Sequence, residues 1–179
     1  MIVLGVVGKI GSGKDTVANY IGEHGFLVLN MADIFREMAR REGYSTDRKT
    51  MQKLRVEKGR TFLAEETVRV MKASEKDKII VTSIRMSDDW IIIKKAFPAA
   101  RLITVDASPD TRFERLASRE RDKVNNREEF DEQEKRENEI YDFEKTFSMA
   151  DYTISNEVTK KDLYKLLEDI LKKIGKARE

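Results

Sequence analysis

The chain has no cysteine, one histidine and two prolines among its 179 residues. Without thiols there is no disulfide framework and no thiolate metal site, and a reducing compartment is compatible with the composition. The single histidine, His24, lies between Gly22 and Gly25 with no carboxylate or thiol partner nearby, so a surface position near a helix C-terminus is expected, not a catalytic role. Long apolar runs are missing too. None approaches the roughly 18 residues needed to span a bilayer, and the amino terminus enters a short apolar segment without a basic leader, so a soluble, cytoplasmic protein is expected. Nor does one sign of charge dominate. Charged side chains make up 38%, yet 35 basic and 33 acidic residues cancel to +2. That balance carries no general nucleic-acid signature. There is no internal repeat or low-complexity segment, and the length suits one domain able to bury about 70% of its unfolded surface.

Against these absences stands one stretch, Gly8 to Thr16, reading Gly-Lys-Ile-Gly-Ser-Gly-Lys-Asp-Thr. The apolar, β-branched run Ile2 to Val7 before it reads as a buried strand, and Val17, Tyr20 and Ile21 after it are spaced for one helical face. A strand, a glycine-rich turn and a helix start are the order that a phosphate-binding P-loop requires. Gly8, Gly11 and Gly13 let the backbone wrap an anion, so that amides of the loop, Ile10 and Ser12 included, and the positive end of the helix face a triphosphate. Lys14 adds a flexible point charge for the outer phosphates. The pattern G-x-x-x-x-G-K-[ST] is met through Lys14 and departs from it at Asp15, with a hydroxyl only at Thr16.

Gly25 to Asn30 reads as a second strand. The helix after it carries Asp33 and Arg36 in its first turn, where open parallel sheets bind ligands beyond the strand ends. Asp33 is placed to orient an acceptor hydroxyl and Arg36 to clamp an acceptor phosphate. Equally, Asp33 complements a helix N-terminus and Arg36 is a solvated face residue. Residues 43 to 72 read as helical hairpins with Asp47 or Thr46 as a cap and Gly59 as a break. Lys78 to Arg85 is a third strand that ends in Thr82-Ser83 where P-loop proteins often carry a magnesium-holding acid. Arg85 opens into the cleft as an acceptor-phosphate ligand, while Asp88 and Asp89 cap the next helix.

A fourth strand, Ala100 to Asp106, leads to a helix capped by Ser108 with Pro109 at its first position. That helix places Phe113, Leu116 and Ala117 on one side and Arg112, Arg115, Arg119 and Arg121 around the other. The polar stretch from Asp122 to Asn126, with little to bury, reads as a hinge into a charged helix from Arg127 to Phe147. Such an arm can close over a nucleotide and bring arginines to a transferring phosphoryl group. Asp151 to Ile154 is a fifth strand, and a last helix starting at Thr159 packs the stripe Leu163, Leu166, Leu167, Ile170, Leu171 and Ile174 on the sheet.

Taken together, the chain resembles the P-loop kinases of small molecules, a group that includes adenylate kinase, dephospho-coenzyme A kinase and the phage-type deoxynucleoside monophosphate kinases. The resemblance rests on Gly8 to Thr16, Asp33 to Arg36, Ile84-Arg85, Arg115 to Arg119 and Ala150 to Asn156. It is strongest toward an archaeal adenylate-kinase-related branch, through Arg119 to Asp122 and Glu128-Glu129-Phe130. What it implies is an α/β fold of three layers with a five-stranded parallel sheet of order 2-3-1-4-5 and a helical lid. It further implies one domain over residues 1–179, an acceptor-binding helical region at about 33–72 and a lid at about 119–136. It implies transfer of the γ-phosphoryl of Mg-ATP to a small phosphate-bearing acceptor, with a nucleoside or deoxynucleoside monophosphate preferred. Lys14 and the loop amides would hold donor phosphates, Thr16 or Asp15 would assist Mg²⁺, and Asp33, Arg36 and Arg85 would meet the acceptor. Arg119 and Arg121 would act from the lid, Arg119 also stacking on adenine. The alternatives are a dephospho-coenzyme A kinase-like enzyme, and a nucleotide-dependent assembly or RNA-maturation factor with weak ATPase activity.

Overall fold

The computed structural model describes residues 1–119 and 123–176. Its strands are β1 (Ile2–Val7), β2 (Leu27–Asn30), β3 (Lys78–Thr82), β4 (Arg101–Asp106) and β5 (Tyr152–Ser155). Between and after them come α1 (Lys14–Glu23), α2 (Met31–Arg41), α3 (Arg48–Glu57), α4 (Phe62–Ala73), α5 (Ser87–Ala96), α6 (Pro109–Ala117), α7 (Arg127–Ile140), α8 (Phe143–Ser148) and α9 (Lys160–Lys176). The strands form one sheet in the order β2-β3-β1-β4-β5, and every pairing is parallel. The expected fold and strand order are those observed.

The pairing follows from the residues. Central strands of an all-parallel sheet are covered on both faces, so their sequences run apolar without alternation, and Val3, Leu4, Val6, Val7, Ile79, Ile80 and Val81 are all buried. Val3, Val7, Ile79, Val81 and Leu102 pack on one face with Phe35, Leu54, Met71 and Trp90 from α2 to α5. On the other, Leu4, Val6, Ile80, Ile103 and Val105 meet Val17 and Ile21 of α1 and Leu163, Leu167 and Ile170 of α9. Because all strands run the same way, the loops leaving β1, β2 and β3 emerge along one edge of the sheet, where α1, α2 and α5 begin.

Four details differ from the sequence reading. The charged arm is two helices, because Tyr141 leaves α7 in an extended conformation and Asp142 turns away to serve α5. Its carboxylate accepts from the Ser87 amide at 2.9 Å and the Ser87 hydroxyl at 2.6 Å. Of the two expected caps of α5, Asp89 serves as one, its carboxylate accepting from the Met86 amide at 3.3 Å while it also pairs with Arg55 at 2.8 Å, whereas Asp88 turns to Arg60 at 2.9 Å. The polar stretch before α7 does bury a residue, since Val124 packs with Leu116 and Phe130. In the last helix Leu166 is exposed, one step off the stripe that faces the sheet.

Candidate functional site

The turn between β1 and α1 is shaped by Gly11 (φ 81°) and Gly13 (φ 93°), a conformation that costs other residues about 1–2 kcal/mol. Gly13 precedes α1, and no side chain caps the helix there, so the first-turn amides face the edge where the strands end. The loop carbonyls, in contrast, are tied down from behind. Asn156, just after β5, donates its side-chain amide to the Ser12 carbonyl at 2.8 Å. Arg115 donates to the carbonyls of Gly11 and Ser12 at 3.4 Å and to that of Asn156 at 2.7 Å. Arg112 donates to the Ile10 carbonyl at 3.4 Å and the Ala107 carbonyl at 3.1 Å. It also forms a fork with Glu134 of α7, with both bonds at 2.7 Å, and Lys9 reaches the same carboxylate at 3.6 Å. With these carbonyls held on one side, loop amides turn to the other, where an anion can meet them; the Ser12 amide donates to the Lys9 carbonyl at 3.1 Å.

Lys14 opens α1 as a half-buried side chain. Burial drives its ammonium below the ordinary lysine range; Asp15 and Glu137 oppose the shift, and Arg85 and Arg119 add to it. A partly desolvated cation that also feels the charge of two guanidinium groups is matched to a polyanion, whose charge reverses that cost. Arg85 follows Ser83, which lies in the left-handed region (φ 64°) without being glycine, a local strain of about 1–3 kcal/mol that functional turns commonly hold. Its guanidinium sits 5.0 Å over the Tyr141 ring and 3.5 Å from the Glu137 carboxylate. Glu137 is 7% exposed, so α7 supplies an anion that pairs with Arg85 and whose charge acts on Lys14.

A hollow of about 370 Å³ lies beside the first turn of α1 and is lined by Asp15, Asn30, Asp33, Ile34 and Thr82 among others. Asp33 is exposed and holds Arg36 at 2.6 Å, so the two expected acceptor ligands engage each other. The hydroxyls of Ser12 and Thr82 are buried without a partner. Thr16 is half-buried in the first turn.

The expected residues therefore fall into two neighbouring groups: Lys14, Arg85 and Arg119 by their mutual charge, and Asp15 and Asp33 around the hollow. Arg121 lies outside the described residues. Sequence reasoning missed Arg112, Arg115 and Asn156 as supports of the loop and Glu134 and Glu137 as acids facing it. Arg112 is a correction: read as one of the arginines on the polar side of its helix, it is 2% exposed because Glu134 and two carbonyls pay for its burial. The three-residue spacing of Arg112 and Arg115, which puts both on one helical face, was the available signal.

A parallel sheet of this order with a glycine-rich loop and lysine after β1 defines a P-loop kinase-like protein, a fold that generally binds ATP and Mg²⁺. Residues 7–136 match a family profile described as an AAA domain. The chain is 33% identical over 180 residues to the UPF0200 protein of Methanothermobacter thermautotrophicus, covering 100% of this chain and 94% of that one, and it belongs to the UPF0200 family. Among solved structures it is similar to the shikimate kinase of Bacteroides thetaiotaomicron (TM-score 0.65, 13% identity, 96% of this chain and 98% of that chain). It is also similar to the shikimate kinase of Acinetobacter baumannii in complex with shikimate (TM-score 0.60, 17% identity, 98% and 93%). At these identities the likeness is one of fold. Among the described residues no helix is long and apolar enough to cross a membrane.

Proposed function

We propose that this protein is an ATP-dependent phosphotransferase passing the γ-phosphoryl of Mg-ATP to a small phosphate-bearing acceptor of the nucleoside or deoxynucleoside monophosphate class. The observation that supports the reading is that Arg85, in the turn after β3, pairs with Glu137 at 3.5 Å, and that the charges of both act on Lys14 at the start of α1. A loop that only holds a nucleotide needs the lysine; an arginine in the turn after the neighbouring strand gives a second phosphate its place.

In this reading the amides of Gly8, Ile10, Gly11, Ser12 and Gly13 cradle the donor phosphates, that of Ser12 turning from the Lys9 carbonyl to do so, and Lys14 neutralises the transferring group. Asp15 and Thr16 face the metal. Asp33 orients the attacking oxygen. Arg36 exchanges its bond to Asp33 for the acceptor phosphate, which Arg85 holds from the other side. Arg119 lies over the adenine and, with Arg121, reaches the transferring group as the lid, about 119–136, closes on the acceptor region at about 33–72 of a single domain. When bound, Mg-ATP supplies the electrophilic phosphorus and a metal charge that offsets the phosphate oxygens. The residues fit such a ligand. The glycine backbone admits close approach, the Ser12 hydroxyl is buried and unpartnered, and Lys14 is desolvated. Among the described residues no group of three or more His, Cys, Asp or Glu could hold a metal by itself, which suits an ion that arrives on the nucleotide's phosphates.

A thermal-shift matrix tests this. A non-hydrolysable ATP analogue is combined with nucleoside and deoxynucleoside monophosphates, dephospho-coenzyme A and shikimate. A ligand at a hundredfold excess over its Kd adds about 2.7 kcal/mol, or roughly 5–10 °C at this chain length. The expected result is a shift with the analogue that Lys14→Ala abolishes and a further shift with a monophosphate that Arg85→Met abolishes. A matrix in which no phosphate-bearing acceptor adds to the analogue's shift overturns the reading.

A further inference from the structure

We propose that Tyr141 and Asp142, where the chain leaves α7, are positioning residues that set Arg85 for the acceptor phosphate. The inference rests on the phosphotransferase reading above, which gives Arg85 that ligand, and concerns what holds the guanidinium in place. A long side chain on a turn loses conformational freedom when it binds, and a turn and rotamer fixed beforehand remove that cost. Arg85 is such a side chain. It lies between β3 and α5, two residues after the left-handed Ser83, and 42% of it is exposed.

The turn is held from two directions. From the side of α5, the Asp89 carboxylate accepts from the Met86 amide at 3.3 Å, and Arg55 of α3 donates to that carboxylate at 2.8 Å. From the far end of α7, Asp142 accepts from the Ser87 amide at 2.9 Å and from the Ser87 hydroxyl at 2.6 Å. Ser87 is fully buried, so these bonds are shielded from water. Burial pushes the Asp142 carboxyl up, yet the Ser87 bonds hold it below the ordinary aspartate range. The guanidinium itself is gripped by the residue before. The Tyr141 ring lies 5.0 Å from it, within the range of a cation–π contact, and buried Phe143 backs that ring edge-on at 5.6 Å. Glu137, four residues before Tyr141, stands 3.5 Å from the same guanidinium. Asp142 thus fixes the backbone of the turn, Tyr141 and Glu137 fix the charged group, and the exposed part of the side chain stays open to a phosphate.

Acceptor and donor affinities, measured separately on the full-length protein, test this. Calorimetry is run with a non-hydrolysable ATP analogue, and then, with the analogue saturating, with AMP, dAMP, CMP, GMP, UMP and dTMP one at a time. The monophosphate that the wild type binds most tightly is the probe for the variants. Asp142→Ala is expected to weaken the probe by about 10–100-fold. Tyr141→Leu should weaken it by about 3–30-fold, whereas Tyr141→Phe, which keeps the ring, stays within about twofold. Affinity for the ATP analogue stays within about twofold in all three, a split that a general loosening of the fold does not produce. If Asp142→Ala melts early, Ser87→Ala, which removes only the 2.6 Å bond, takes its place. A measurement without ligand accompanies these. The Nε–Hε resonance of Arg85 in protein carrying isotope-labelled arginine, assigned by its loss in Arg85→Lys, is expected to move in Tyr141→Leu and Asp142→Ala and to stay in Tyr141→Phe. Probe affinity unchanged in Tyr141→Leu and Asp142→Ala, or lowered no more than affinity for the analogue, or a resonance indifferent to both, overturns the positioning role and leaves the phosphotransferase reading standing. A wild type that binds no monophosphate, with the resonance still responding to both variants, overturns the acceptor reading instead.

Discussion

Replacing Arg112 by alanine probes the support of the phosphate loop without touching any group that faces the ligand. The guanidinium is 2% exposed, makes two 2.7 Å bonds to Glu134, and anchors the carbonyls of Ala107 and Ile10. The alanine variant leaves a half-buried carboxylate without its main partner and two carbonyls without their donor. Breaking a buried pair from one side costs about 3–5 kcal/mol. Lys9, 3.6 Å from the same carboxylate, compensates in part and places the loss near the lower end of that range. At about 2–4 °C per kcal/mol for a chain of this size, the thermal midpoint falls by roughly 6–12 °C. The freed Ile10 carbonyl also loosens the loop. A loss of one hydrogen bond's worth of positioning, about 1.4 kcal/mol, weakens nucleotide binding about tenfold. Scanning calorimetry gives the first number and titration calorimetry with an ATP analogue the second. Arg112→Lys keeps the charge but not the fork and falls between. A midpoint lowered by less than about 2 °C with unchanged affinity would refute the view that this arginine holds the loop.

Gly13→Ala places a Cβ 2.2 Å from the Asn156 amide nitrogen at φ 93°. The strained backbone and the displaced Asn156 bond together cost about 2–5 kcal/mol, and nucleotide binding is lost in a calorimetric titration. The Glu134 carboxyl lies below the usual glutamate range, because the Arg112 bonds and Lys9 outweigh the upward push of burial. Its contribution to stability is therefore complete above the unfolded value near 4.3 and is lost as the pH falls through the lower folded value. Glu134→Gln should flatten that acid limb in melting curves taken below about pH 4.3. Because burial lowers Lys14 in the free protein, bound phosphates raise it again. Binding at alkaline pH should thus take up protons, seen as a calorimetric enthalpy that varies with the buffer's ionisation heat and ceases to do so in Lys14→Met.

The sheet and the loop were legible because their signals are local. β1 and β3 announce themselves as short β-branched runs, and Gly8 to Lys14 need only their own spacing. Ser108-Pro109 marked the start of α6 for the same reason. What stayed hidden depends on partners far along the chain. Arg112 looks like any arginine on a charged helix until Glu134 is brought to it, and Asp142 looks like part of a helix until Ser87, 55 residues earlier, takes its carboxylate. The sparse apolar residues of α7 gave no period to show that the helix stops at Ile140. Val124 sits in a polar stretch, and only the fold supplies the Leu116 and Phe130 that cover it. Glu137 had no sequence signal at all; its role as a counter-charge to Arg85 and Lys14 exists only in three dimensions.

The phosphotransferase account is tested most directly by phosphorus-31 magnetic resonance of the wild-type protein incubated with Mg-ATP and a mixture of nucleoside and deoxynucleoside monophosphates. The account predicts that ADP and a new diphosphate product grow in step, and that both disappear in Lys14→Met. ATP that stays intact, or is hydrolysed to inorganic phosphate at a rate indifferent to every acceptor, contradicts it.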